Sequence, residues 1–216
     1  MVAIAFDWFF HLDKHLAGLA TQHGAWIYLI LAGVIFIEPG LVIMPFLPGD
    51  SLLFVAGALA AGGALNLAVL IGSLAASAIV GDAVNYSIGA YCEKRLATNG
   101  KMRWIKPQHF QKTQTFFDHH GRKTIVLARF VPVVRTLAPF VAALGHMPYP
   151  TFLLYNAVGG ILWVVSITCA GYLFGQVEWI QANMTFVLLG IVAISILPAI
   201  FEWWRARRHP QDHNSI

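Results

Sequence analysis

The stretch Arg129-Phe-Val-Pro-Val-Val-Arg135-Thr-Leu-Ala-Pro139-Phe-Val-Ala-Ala-Leu-Gly145 is an apolar run carrying two arginines and two prolines, Pro132 and Pro139. Each proline removes a backbone donor and clashes with the preceding turn, so a straight helix through both would be strained. The run therefore reads as a broken helix. An arginine at mid-bilayer costs roughly 2.5 kcal/mol or more, and lipid cannot satisfy the carbonyls that a break sets free. Such a segment belongs inside protein, facing a wet cavity. The same devices occur earlier in Glu38-Pro-Gly-Leu-Val-Ile-Met-Pro-Phe-Leu-Pro-Gly-Asp50, where Pro39, Pro45, Pro48 and Gly49 are the breaking residues and acids replace the arginines. Two broken segments of opposite charge organise the rest of the chain.

Composition places those segments in a membrane. Of the 216 residues, 58% are hydrophobic and 11% charged, and the mean hydropathy is +0.67, well outside the range of a soluble domain of this size. Uncharged runs cover 15–37, 51–81, 136–177 and 179–201, and about 20 apolar residues span the hydrocarbon core. The expected class is all-α and polytopic. Asp7 and Asp13 stand where a signal peptide carries lysines, so no cleaved signal is expected. Cys92 and Cys169 form no metal or redox spacing and read as small apolar side chains.

Taken in order, residues 3–20 read as an amphipathic helix at the interface. Residues 25–37 and 51–61 are helices too short to span, joined by the first broken segment into a re-entrant hairpin. Residues 66–92 form a full span in which Gly72, Gly81 and Gly89 permit close helix approach. The loop 93–123, amphipathic and rich in lysine and arginine, and the tail with Arg205, Arg207 and Arg208 are expected on the cytoplasmic side. Two cytoplasmic anchors require an even number of crossings between them. Residues 150–176 and 183–204 supply two, leaving 124–147 as a second re-entrant hairpin. The total is about three or four full spans.

Internal echoes support two copies of one unit: Tyr86-Ser-Ile-Gly89 against Tyr172-Leu-Phe-Gly175, and Pro45 with Gly57 against Pro132 with Gly145. The copies, 1–92 and 93–182, would be inverted in the membrane within one domain, 1–216, with 183–216 as final span and tail. Inverted repeats whose broken helices meet near the midplane are a transporter design.

Five ionisable residues fall at membrane depth: Glu38, Asp50, Asp82, Arg129 and Arg135. Intramembrane charge is costly and marks an ion or substrate pathway. The arginine fork suits a phosphate or carboxylate, which makes Arg129 and Arg135 candidate ligands of an anionic head group. Glu38 and Asp50 suit proton coupling, or they pair with the arginines and close the hairpins against each other. Asp82, with Asn85 and Tyr86, reads as a structural clamp. His119, His120, His209 and His213 make no metal spacing, so neither metal nor cofactor is expected. The basic loop reads as a topology signal, and no nucleic-acid partner is expected.

Phe46-Leu-Pro-Gly-Asp50-Ser-Leu-Leu, Gly81-Asp82-Ala-Val-Asn-Tyr86-Ser-Ile-Gly89 and Arg129-Phe-Val-Pro-Val-Val-Arg135-Thr-Leu-Ala-Pro139 resemble, in order, the signature blocks of the DedA family of VTT-domain (SNARE-associated) membrane proteins. The resemblance runs from residue 5 to about 205. It implies a bacterial inner-membrane protein that supports envelope homeostasis, in a superfamily with eukaryotic lipid scramblases. Its relatives are implicated in returning undecaprenyl phosphate across the membrane or in proton-dependent transport. The family's essential charges match Glu38, Asp50, Arg129 and Arg135.

Three activities are then in play: a flippase for an anionic lipid such as a polyprenyl phosphate or phospholipid, an ion-coupled transporter of a small solute, and an enzyme on lipid phosphates. The chain has no Gly-x-Ser-x-Gly elbow, His-Glu-x-x-His or phosphate-binding loop, so a non-enzymatic carrier is expected, with membrane lipids and protons as partners. Cargo and oligomeric state, a homo-oligomer included, stay open.

Overall fold

The structure is a computed structural model and describes residues 25–40, 49–98, 123–191 and 193. Among these the chain is helical without strands. The helices are α1 (Trp26–Gly40), α2 (Gly49–Ala61), α3 (Leu67–Thr98), α4 (Thr124–Ala128), α5 (Pro132–Leu144), α6 (Tyr149–Phe174), α7 (Glu178–Ala182) and a helical stretch at 184–191. Two segments are long and apolar enough to cross a membrane, Leu67–Glu93 in α3 and Tyr149–Phe174 in α6. The expected span at 183–204 is described only in its first part. The amphipathic helix at 3–20, Pro45, Pro48, nearly all of the basic loop and the tail lie outside the described residues.

The short helices are bounded by identifiable local chemistry. Pro132 opens α5 in the first turn, where its missing N–H has no partner to lose, and Val131 before it is extended. Asn66 caps α3 by accepting the Val69 N–H at 3.1 Å. The second proline of the opening stretch behaves differently from expectation. Pro139 lies inside α5 without ending it, and the interruption between the arginines falls at 129–131. Likewise Pro39 sits in the last turn of α1, which runs through Glu38 to Gly40. One lost backbone bond does not end a helix that neighbouring helices hold in place.

Helices α2 and α5 end in the same turn. At the first, Gly62, Gly63 and Ala64 donate to the carbonyls of Ala58, Ala60 and Leu59; at the second, Gly145, His146 and Met147 donate to those of Val141, Ala143 and Ala142. Gly63 (φ 79°) and His146 (φ 55°) take the left-handed conformation that such a cap requires. This pairs Gly145 with Gly62. The expected match of Gly145 with Gly57 is therefore displaced, because both partners are the residue just before the left-handed one.

Packing follows a crossed pattern. Helix α1 lies on α3 and α2 on α6, whereas α4 lies on α6 and α5 on α3; α3 and α6 also touch. Glycines set the crossings. A side chain at Gly57 or Gly171 would strike the backbone of Thr168 or Phe54, respectively, where α2 meets α6. A Cβ at Gly89 would come within 2.9 Å of the Phe140 carbonyl, and one at Gly81 within 2.7 Å of that of Phe36. Gly72, expected to serve in the same way, faces open space.

The distribution of polarity is inverted relative to a soluble protein. Val69, Val80, Leu154, Ile161 and Leu162 of the two long helices face outward, and Glu38, Asp50, Asp82, Arg129 and Arg135 are buried. Apolar clusters lie on either side of those charges along α3, with Leu70, Leu74 and Ala78 before Asp82 and Tyr86 after it.

Candidate functional site

The five charges form two clusters. In the first, the Arg135 guanidinium pairs with Glu38 through one terminal nitrogen and with Asp50 through the other, at 2.6 Å. Arg135 comes from the first turn of α5, Glu38 from the last turn of α1 and Asp50 from the first turn of α2. Position 49 has room for this arrangement only as glycine, because a Cβ there would overlap the Glu38 carboxylate. Oε2 of Glu38 has no hydrogen-bond partner among the described residues. With two carboxylates on one guanidinium, these three residues carry one negative charge in excess when all are ionised.

In the second cluster Arg129 pairs with Asp82 of α3, donates to Oδ1 of Asn156 at 2.7 Å and reaches the Ala78 carbonyl at 3.2 Å. Asn156 in turn donates to the Ile79 carbonyl at 3.0 Å, so the amide ties α6 to α3. The Arg129 side chain lies against the Gly159–Gly160 pair, and a Cβ at Gly160 would come within 3.3 Å of the central carbon of its guanidinium. These two residues balance in charge. The acids of the first broken segment do not neutralise Arg129, as their pairing with the arginines had suggested. Its place after α4, which packs on α6 beside α3, hands it to Asp82 instead.

Trp163 stands at both clusters. Its indole N–H donates to Oδ1 of Asp50 at 2.9 Å, and its ring has the Arg135 guanidinium at 4.8 Å and that of Arg129 at 5.8 Å. Both distances are within reach of a cation–π interaction.

The expected clamp residues each have a distinct role. Asn85 donates to the carbonyls of Pro39 and Thr136, both at 2.7 Å, and so joins the end of α1 to the start of α5. A helix end in an apolar setting needs such a donor for its unpaired carbonyls. The Tyr86 hydroxyl donates to the Met147 carbonyl in the turn before α6, and its ring stacks on Phe152 at 4.5 Å. Asp82 is the acid of the second cluster. Among the described residues no group of three or more metal-ligating side chains is gathered.

Asn156 and Trp163 are the site residues that sequence reasoning missed. The signal was present: Phe152, Asn156, Gly159, Gly160, Trp163, Thr168 and Gly171 recur at helical spacing as the buried face of α6. A lone amide among small residues in an otherwise apolar span marks a face turned toward protein.

The family model for the VTT domain matches residues 47–173, which take in the acid of α2, both arginines and the whole of α3 and almost all of α6. Protein DedA of Escherichia coli is 47% identical over 210 residues, 96% of each chain. An uncharacterized membrane protein of Mycobacterium leprae is 42% identical over 175 residues, 81% of this chain and 78% of its own. The inner membrane protein YghB of E. coli is 32% identical over 188 residues, 85% of each. No solved structure matches.

Proposed function

The chain belongs to the DedA family of VTT-domain membrane proteins, and from that premise we propose that it is an inner-membrane flippase. Its cargo in this reading is an anionic lipid, a polyprenyl phosphate such as undecaprenyl phosphate or a phospholipid, and its movement is coupled to protons. Helices α1–α2 and α4–α5 act as two oppositely oriented re-entrant hairpins of an inverted repeat. The observation that supports this best is the buried Arg135, whose fork is held by acids from both short helices of the other pair.

Carboxylates and a lipid phosphate compete for the same donors, so the ion pairs describe the closed state. A phosphate that enters displaces Glu38 or Asp50 from Arg135 and Asp82 from Arg129. The displaced carboxylate then needs a proton to remain buried. Proton uptake thus accompanies cargo binding, and return of the acids to the arginines expels the cargo on the other side. The arginines serve as substrate ligands in one half of the cycle and as hairpin locks in the other. The crossed packing suits this role, since each pair of short helices grips both long ones.

The test is purified protein in liposomes, following redistribution of fluorescent undecaprenyl phosphate and, separately, fluorescent phospholipid with and without a pH gradient. Protein-dependent redistribution that the gradient accelerates is expected for one of the two lipids. No redistribution of either, with gradient-driven uptake of a small solute, would replace the lipid reading with the solute one.

A further inference from the structure

The two clusters draw on different helices and share no ion pair. The first takes its residues from α1, α2 and α5, the second from the end of α4, α3 and α6. Among the described residues, one side chain touches both. Trp163 of α6 is 3% exposed, donates its indole N–H to Asp50 Oδ1, the oxygen that also takes Arg135, and lies within 6 Å of both guanidinium groups. It occupies the turn after Gly160, whose missing side chain lets Arg129 approach α6. A leucine in its place would fill much of the space and supply neither the donor nor the aromatic face.

We propose that Trp163 is a positioning residue that makes the two buried arginine clusters respond to one another. Its N–H holds Asp50 toward Arg135, and its ring is a shared surface for both cations. When Asp50 is drawn away the indole loses its acceptor, and when Asp50 is protonated that acceptor weakens; in either case Arg135 loses a counter-charge. The ring then shifts, and Arg129 loses part of its packing. A change at the acid of α2 is in this way felt at the far cluster, and the reverse path runs from Asp82 through Arg129 to the same ring. Among the described residues, the titratable and charged groups around it are Asp50, Arg135 and Glu38 from the first cluster and Arg129 and Asp82 from the second. This communication within the core does not depend on what the protein carries.

The test uses the full-length protein, labelled with ¹⁵N-tryptophan in detergent micelles. Of the seven tryptophans, Trp163 is assigned as the indole N–H signal that Trp163→Phe removes. Asp50→Asn is expected to move that signal directly. The informative variants are Asp82→Asn and the milder Asn156→Ala, which alter only the other cluster and are also expected to move it. A second measurement compares the thermal midpoints of Asp50→Asn, Asp82→Asn and the double variant. Their departure from additivity is expected to fall with Phe at 163, which keeps a ring but loses the donor, and to fall further with Leu, which has neither. Either a Trp163 signal left in place by folded Asp82→Asn or Asn156→Ala, or equal non-additivity with Trp, Phe and Leu, overturns the proposal.

Discussion

Arg135 gives its two terminal nitrogens to two carboxylates, and lysine can reproduce the charge but not the fork. Arg135→Lys is therefore expected to fold and insert while transport falls sharply, checked by liposome flux beside detergent thermal stability; full transport with lysine would leave point charge as the only requirement. The charge arithmetic yields a second expectation. Glu38→Gln leaves Arg135 paired with Asp50, whereas Asp82→Asn removes the carboxylate of Arg129's direct ion pair. Stranding a buried charge typically costs about 3–5 kcal/mol. Asp82→Asn should thus lower the thermal midpoint much more than Glu38→Gln, and the latter should lose chiefly the response to a pH gradient, because the amide cannot titrate. All five charged residues were legible in the sequence, since intramembrane charge is too costly to be incidental. Their partners were not. Asp82 and Arg129 are separated by 47 positions, and only the packing of α4 against α6 beside α3 brings them together.

At the level of elements, the all-helical class and the two long apolar helices could be read from apolar run length, and the breaks could not. Pro139 and Pro132 carry the same backbone defect, yet only Pro132 stands at an interruption, because α5 is braced by α3 along its length. Glycine was similarly ambiguous. Gly57, Gly81, Gly89 and Gly171 bring backbones into contact, while Gly72 faces outward, and nothing in a run of apolar residues distinguishes them before the packing partner is known. The crossing of α2 and α6 is the tightest of these contacts. Gly57→Ala places a methyl group on the Thr168 carbonyl, a backbone atom that cannot rotate away. Overpacking of this kind costs about 1–3 kcal/mol, at times more. A lower thermal midpoint is expected for Gly57→Ala, with Gly72→Ala unchanged as the control.

For the whole molecule, the charge distribution along the sequence makes a claim about sidedness. Basic residues concentrate in 93–123 and in the tail, and the turn at 62–65 carries none, so that turn is expected on the opposite face. With Cys92 and Cys169 replaced by serine, an impermeant thiol reagent applied to intact cells should label Gly63→Cys and spare Lys101→Cys. The reverse pattern would invert the proposed orientation.

The crossed packing also bears on how the chain could be divided. Helix α2 lies before the basic loop and rests on α6 after it; α5 lies after the loop and rests on α3 before it. Neither segment flanking the loop contains the surface on which its own second short helix rests. Fragments 1–98 and 99–216, produced separately, should be degraded or aggregate, whereas co-expression should yield a complex that copurifies through a tag on either one. The two described pieces then clasp each other as folded arms do, and it is this mutual grip, rather than the peptide link alone, that keeps them in register.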